Sequence, residues 1–153
     1  MMSRQLEMEE YQKNSVEETY TQQANILNGM MKVEAIECSY KDLSMTFRFP
    51  VLEWQKNRVG LMHGGAICTA FDFSMAALAR FCSITNWAPT VSLDVKYIRP
   101  IEVGDNLILK TEATATGKRI IQLTAKAFSE NNGKLVATAA SVYSSVDTNK
   151  DKK

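Results

Sequence analysis

The stretch that decides the fold is GGAICTAFDFSMAALA, residues 64–79, in which two glycines open an apolar run that contains one carboxylate, Asp72. A helix that is apolar on nearly all of its surface must be buried on most sides. A curved antiparallel sheet wrapped around such a helix buries it with few elements. The stretch therefore predicts an α+β fold with one long central helix, from Gly64 to about residue 81.

The residues before this helix, Asn57-Arg-Val-Gly60-Leu-Met-His63, are typical of the approach to a reaction site. Glycines let a ligand come close to the backbone, and the unpaired N–H groups at a helix start favour negative charge. Such donors stabilise the oxyanion that forms on a carbonyl under attack. Asp72 has apolar neighbours, and an ionised group there costs free energy unless it is used. Cys68, four residues earlier, is a rival nucleophile, although an apolar setting disfavours its thiolate.

Alternation and turn signals divide the rest of the chain. A surface helix is predicted at about 7–27, then a hairpin of strands 33–40 and 43–49. In strand 91–97, Thr90 and Tyr97 are expected on opposite faces because side chains alternate. Strands 107–115, 120–129 and 135–146 follow, and consecutive hairpins predict an antiparallel sheet. The expected organisation is an N-terminal accessory helix over 1–30, one domain over 31–146 and a disordered charged tail over 147–153.

Composition narrows the class of protein. The chain has 18 basic and 17 acidic residues, a balance that gives no indication of nucleic-acid binding. Three cysteines and one histidine support neither a disulfide framework nor a zinc site, and no dinucleotide fingerprint follows a strand. The N-terminus lacks an apolar signal region, and the apolar run 66–79 is shorter than a span of about 20 residues. We therefore expect a soluble, cytoplasmic protein that binds no metal, cofactor, nucleic acid or membrane.

Several of these features together resemble one known family. The pattern N-x-x-G-x-x-H-G-G at 57–65, Asp72 nine residues after the histidine, TVSLDVKYIRP at 90–100 and GKLVA at 133–137 resemble the hotdog-fold acyl-CoA thioesterases of the phenylacetate-pathway (PaaI-like) type, in the 4-hydroxybenzoyl-CoA thioesterase superfamily. The resemblance covers about residues 33–146. It implies a hotdog fold, here with an extra N-terminal helix, and hydrolysis of an acyl-CoA to a free acid and CoA without a cofactor.

The resemblance also implies roles for individual residues. The N–H of Gly64 would polarise the thioester carbonyl, and His63 would shape the loop around it. Asn57 would orient the carbonyl or the attacking water. Asp72 would act as general base or as nucleophile, and Thr90 would help to hold the water. From the residues alone, Asn57 could instead form only an Asx turn, Thr90 could be an ordinary strand residue, and the two glycines could serve packing.

The expected site needs two chains. At 1.5 Å per residue, Asp72 lies roughly 12 Å along the helix from Gly64, which is beyond hydrogen-bond reach. This agrees with the family, whose sites lie at a dimer interface and whose dimers often pair into tetramers. Arg99, Lys118 and Arg119 are candidates for binding the CoA phosphates.

Two alternative functions and the acyl group remain open at this point. A hotdog hydratase or dehydratase is less favoured because its loop motifs are absent, and a non-catalytic acyl-CoA-binding protein is a third reading. Water attack, a direct attack by Asp72, and a protein-bound pantetheine carrier in place of CoA are not distinguished. An aryl or aliphatic tunnel could be lined by five large side chains: Met62, Phe71, Phe73, Met75 and Tyr97.

Overall fold

The computed structural model describes residues 1–145, and residues 146–153, with the predicted tail, lie outside that range. The helices are α1 (Arg4–Thr21), the single turn α2 (Leu27–Met30) and α3 (Gly64–Cys82), and a short 3₁₀ turn spans Glu53–Gln55. The strands are β1 (Glu34–Ser39), β2 (Ser44–Pro50), β3 (Thr90–Tyr97), β4 (Asn106–Thr116), β5 (Ile120–Ser129) and β6 (Leu135–Ser144).

The strands form one six-stranded sheet in the order β1-β2-β4-β5-β6-β3, and every neighbouring pair is antiparallel. The predicted α+β architecture is therefore confirmed. In the sheet, β3 and β4 are separated by β5 and β6. Strand β3 lies at an edge and pairs only with β6 among the described strands.

Helix α3 packs on one face of this sheet and supplies much of the core. Phe71 and Met75 are fully buried, and the ring of Phe73 meets those of Phe47 and Phe49 edge-on at 5.6 and 6.0 Å between centroids. These side chains pack in the core, and the tunnel that they were expected to line stays a prediction. The half-buried face of α3 carries residues spaced four apart: Cys68, Asp72, Ala76 and Arg80.

At 19 residues, α3 is longer than the apolar run 66–79 suggested. By length and composition it could cross a membrane, which corrects the expectation that it is too short. Half of its apolar window is buried inside the fold. A helix at the centre of a sheet is apolar for the same reason as a membrane span, since both are shielded from water.

The N-terminal segment differs from the single helix predicted over 7–27. Helix α1 ends at Thr21, and the chain folds back before α2. Gly29 permits this, because a Cβ there would lie 2.0 Å from the carbonyl oxygen of Gln23. Helix α1 is also better anchored than an accessory surface helix, since buried Gln12 donates from Nε2 to the carbonyls of Glu37 and Thr46 at 3.0 and 2.9 Å.

Candidate active site

The loop before α3 is held by its own polar groups. The side-chain oxygen of Asn57 accepts from the N–H groups of Val59 and Leu61 at 3.0 and 3.1 Å. Gly60 has φ +85°, a conformation that favours glycine. Asn57 thus forms the Asx turn that was the alternative to a substrate contact. Its side-chain nitrogen has no hydrogen-bond partner within residues 1–145, so that donor is free for a ligand.

His63 caps the N-terminus of α3. Its Nδ1 accepts from the N–H of Gly65 at 2.8 Å, and its own N–H donates to the carbonyl of Gln55 at 2.7 Å. These contacts give His63 the loop-shaping geometry expected of it.

Gly64 presents the donor that the sequence indicated. Its N–H has no acceptor within the described chain, and it is the first N–H of α3, where the helix dipole favours negative charge. Its carbonyl accepts from the hydroxyl of Tyr97 at 2.9 Å, and a Cβ at Gly64 would lie 3.3 Å from that ring. Tyr97, with 56% of its surface exposed, therefore anchors the start of the helix.

Asp72 is held by two hydroxyls on one oxygen. Thr90 donates to Oδ1 at 3.0 Å, and Tyr143 donates to the same Oδ1 and to the backbone carbonyl of Asp72, each at 3.3 Å. Tyr143 is fully buried, and burial first, then the charge of Asp72, raises its pKa far above the usual range, so it remains a neutral donor. Oδ2 has no partner within residues 1–145. The arrangement fixes the carboxylate and leaves one oxygen open.

A β-bulge brings Thr90 to Asp72. Thr90 and Tyr97 are seven residues apart, so strict alternation would place them on opposite faces, as the sequence analysis expected. Both side chains nevertheless contact α3. The register with β6 shifts between Thr90 and Ser92, and the extra residue turns Thr90 toward the helix. The predicted facing of Thr90 is therefore wrong.

The described chain does not bring the two halves of the site together. Gly64 is tied to Tyr97 at one end of β3, and Asp72 is tied to Thr90 at the other end. The candidate CoA ligands divide in the same way. Arg99 donates from Nη1 to the carbonyl of Leu135, where β6 begins. Arg119 accepts at its carbonyl from Ser145, just beyond the end of β6, and Lys118 precedes it.

The remaining reactive side chains offer less. Burial, followed by the nearby charge of Asp72, raises the pKa of the Cys68 thiol, so its thiolate is disfavoured. Within residues 1–145 no group of three His, Cys, Asp or Glu side chains could hold a metal ion. Sequence reasoning missed Tyr143, because alternation along β6 marks it as an ordinary inward-facing residue.

The comparisons with known proteins concern the family and the fold. A family model described as thioesterase superfamily matches residues 59–136. Mouse acyl-coenzyme A thioesterase 13 is 29% identical over 89 residues, which cover 57% of this chain and 62% of that protein, less than two thirds of its length.

Solved structures show the fold. Zebrafish thioesterase superfamily member 2 superposes with a TM-score of 0.77 at 18% identity, covering 88% of this chain and 95% of its own. The PaaI protein of the E. coli phenylacetic acid degradation operon superposes with a TM-score of 0.72 at 14% identity, covering 88% of this chain and 96% of its own. A Streptococcus mutans protein bound to acetyl CoA superposes with a TM-score of 0.62 at 18% identity, covering 74% of this chain and 88% of its own. The predicted hotdog fold is confirmed.

Proposed function

Because the chain belongs to the thioesterase superfamily, we propose that it hydrolyses an acyl-CoA to a free acid and CoA. The proposal rests on the presence of two groups in one chain: a free N–H at the start of α3, and the Asp72 carboxylate, whose Oδ1 is hydrogen-bonded and whose Oδ2 is open. The mouse relative is named for acyl-coenzyme A thioesterase activity, and one structural neighbour was solved with acetyl CoA.

In the proposed reaction, the thioester oxygen accepts from the N–H of Gly64, which stabilises the charge that develops there. Asp72 Oδ2 takes a proton from water as the water oxygen attacks the carbonyl carbon. The carbon–sulfur bond then breaks, and the proton passes to the departing thiolate. In the alternative route, Oδ2 itself attacks, the thiolate leaves, and water opens the resulting anhydride.

The site would be shared between two copies of the chain. β3 is an edge strand, and its apolar residues Val91 and Tyr97 are 64% and 56% exposed. Two-fold antiparallel pairing of two β3 edges would set the Tyr97 end of one chain beside the Thr90 end of the other. Gly64 of one chain and Asp72 of its partner would then face each other.

The same pairing would assemble a CoA mouth from both chains. Arg99 lies at the Tyr97 end of β3, while Lys118 and Arg119 lie at the Thr90 end. In the pair, Arg99 of one chain would therefore approach Lys118 and Arg119 of the partner. We expect replacement of all three with glutamine to raise KM, with the effect shrinking at high salt because exposed charges are screened.

Release of thiol from a panel of acyl-CoA thioesters tests the activity. Asp72→Asn should lower kcat by about 10²- to 10⁴-fold, the usual contribution of a positioned base, with little change in volume. Retention of most activity would refute the role of Asp72. Binding without turnover in the wild type would indicate a non-catalytic acyl-CoA-binding protein, and water addition to an enoyl-CoA would indicate a hydratase.

Mixing two inactive variants tests the shared site. Asn57→Ala and Asp72→Asn homodimers each carry a lesion at both sites, whereas a mixed dimer has one site with both lesions and one with neither. Co-refolding equal amounts should therefore restore about a quarter of wild-type activity if pairing is random. No recovery in a sample shown by mass spectrometry to contain mixed dimers would place each site within one chain.

A cytoplasmic location is also part of the proposal. Cys38, Cys68 and Cys82 are all free in the structure, a state that a reducing compartment preserves. Alkylation of the three thiols in intact cells, followed by mass spectrometry, would test it, and a disulfide among them would contradict it.

A further inference from the structure

An open depression adjoins the first turns of α3. It holds about 260 Å³ and is lined by Leu27 of α2, by Trp54, Gln55 and Lys56 in and just after the 3₁₀ turn, and by His63, Gly65, Ala66 and Thr69 around the start of α3. Two of its walls are large apolar side chains from separate elements, and each is about half exposed, Leu27 at 52% and Trp54 at 47%. The rest of the described chain covers only about half of each residue.

The helix side of the depression is made of small groups. Gly65 and Thr69 are four residues apart and share a face of α3, with Ala66 beside them. The hydroxyl of Thr69 donates to the carbonyl of Gly65 at 2.9 Å. With its hydroxyl engaged, Thr69 offers mainly its methyl group. The depression thus contains an apolar slot between the Trp54 indole, Leu27 and the small residues of α3, with Gln55, Lys56 and His63 as its polar lining.

We propose that this slot binds the acyl group of the substrate and sets its length, an inference that rests on the proposed thioesterase function. Gly65 and His63, which line the slot, are the chain neighbours of Gly64, whose free N–H would hold the thioester oxygen. A carbonyl bound by that N–H would therefore have its acyl carbons near the slot. Leu27 and Trp54 are the specificity-determining residues.

The size of the slot selects a substrate class. Its volume equals that of roughly eight or nine water-sized groups. The ligand is accordingly a compact hydrophobic acyl group of medium length, about six to ten carbons, with part of the chain against the Trp54 indole. A long fatty acyl chain would extend into solvent and gain nothing from its outer carbons.

A chain-length series measures this directly. We expect kcat/KM of the wild type to rise about fourfold for each methylene that enters the slot, and to level off beyond about ten carbons. Trp54→Ala should flatten the rise and lower kcat/KM for decanoyl-CoA by about 50-fold, with less than about a threefold change for acetyl-CoA. Thr69→Leu, which fills the slot, should shift the preference toward shorter acyl groups.

Leu27→Ala has a matched control in Ile26→Ala. Ile26 precedes Leu27, is 58% exposed and does not line the slot. We expect Leu27→Ala to flatten the chain-length series and Ile26→Ala to leave it unchanged. Equal loss for acetyl- and decanoyl-CoA in Trp54→Ala, or an unchanged series, would overturn the assignment. Dissociation of the oligomer by Trp54→Ala in sedimentation would also overturn it, by showing a subunit contact.

The failure of the proposed function would be visible separately. If the wild type releases no thiol from any acyl-CoA, calorimetric Kd values for the same thioesters replace kcat/KM in the comparison. A Kd that tightens with chain length in the wild type, and not in Trp54→Ala, supports the slot while refuting hydrolysis. A Kd independent of chain length refutes the slot.

Discussion

The two hydroxyls on Asp72 Oδ1 provide the sharpest test of how the carboxylate is held. Thr90 donates at 3.0 Å and Tyr143 at 3.3 Å, and both leave Oδ2 open. If the open oxygen acts on water or on the carbonyl, these hydroxyls position it, and removing either should lower kcat. The variants are Tyr143→Phe and Thr90→Val, each of which deletes a donor while nearly keeping the shape of the side chain.

The distances set the order of the effects. Hydroxyl hydrogen bonds are usually 2.5–3.0 Å long, so the bond from Thr90 is at the edge of this range and the bond from Tyr143 is weaker. We assign about 1.5 kcal/mol to the first and about 1 kcal/mol to the second, which correspond to roughly tenfold and fivefold losses in kcat. In the double variant no donor remains on Oδ1. The two single losses multiply to about 50-fold. The kcat of the double variant should fall by more than this and approach that of Asp72→Asn, because either donor alone still orients the carboxylate.

The assay is steady-state thiol release with the best acyl-CoA of the panel, giving kcat and KM for the wild type and the variants. Tyr20→Phe is the matched control, since it removes a hydroxyl that donates to the carbonyl of Val33, on the α1 side of the fold, and kcat should not change. A double variant whose loss equals the product of the single losses would refute the joint hold on Oδ1. So would an unchanged kcat in Tyr143→Phe.

The ionisation of Tyr143 adds a pH dependence. Its raised pKa means that the folded state keeps the phenol neutral above pH 10, where the unfolded chain ionises. The stability that this burial contributes is complete below about pH 10 and falls as the pH rises beyond it. Chemical unfolding of the wild type and of Tyr143→Phe at pH 8 and 10.5 should show the smaller decline in the variant.

Three further predictions concern the rest of the chain. Gln12→Leu should lower the free energy of unfolding in urea by about 1–3 kcal/mol, because two strand carbonyls lose their buried donor. Gln22→Leu, at an exposed helix end, should leave it unchanged, and equal effects of the two variants would contradict the role of Gln12. Burial raises the pKa of Cys82 to about 11. At pH 8 its thiol should therefore be alkylated at least about 100-fold more slowly than a peptide cysteine, and the rate should rise as the pH approaches 11. Fast labelling at pH 8, measured by mass spectrometry, would contradict this. EDTA should leave thiol release unchanged, and a loss that zinc restores would overturn the metal-free site.

The features that could be predicted from sequence are those in which local pattern and burial agree. The apolar run from Gly64 predicts a core helix, which the structure has at Gly64–Cys82, and the strand predicted at 120–129 coincides with Ile120–Ser129. The two glycines predicted the start of α3 correctly because helix starts follow local rules, whereas the cap by His63 is visible only in the structure.

Other features depend on partners distant in sequence. Gln12 is of a residue type usually found at the surface, yet its side chain donates to two strand carbonyls, 25 and 34 residues away in sequence. Tyr143 lies 71 residues from Asp72, and nothing around it in sequence distinguishes it from its inward-facing neighbours. Alternation cannot show a bulge, so it placed Thr90 on the wrong face.

The bulge in β3 explains both the wrong prediction for Thr90 and the way in which one strand contacts Gly64 and Asp72. Helix α3 runs along β3, so Tyr97 at one end must reach Gly64 while Thr90 at the other reaches Asp72. A regular strand cannot present both side chains to one helix, because they are seven positions apart and an odd separation places side chains on opposite faces. One extra residue between Thr90 and Ser92 removes the conflict and fixes both half-sites to a single strand. A two-fold pairing at the free edge of that strand would then set donor and carboxylate from different chains at a distance determined by the strand register alone.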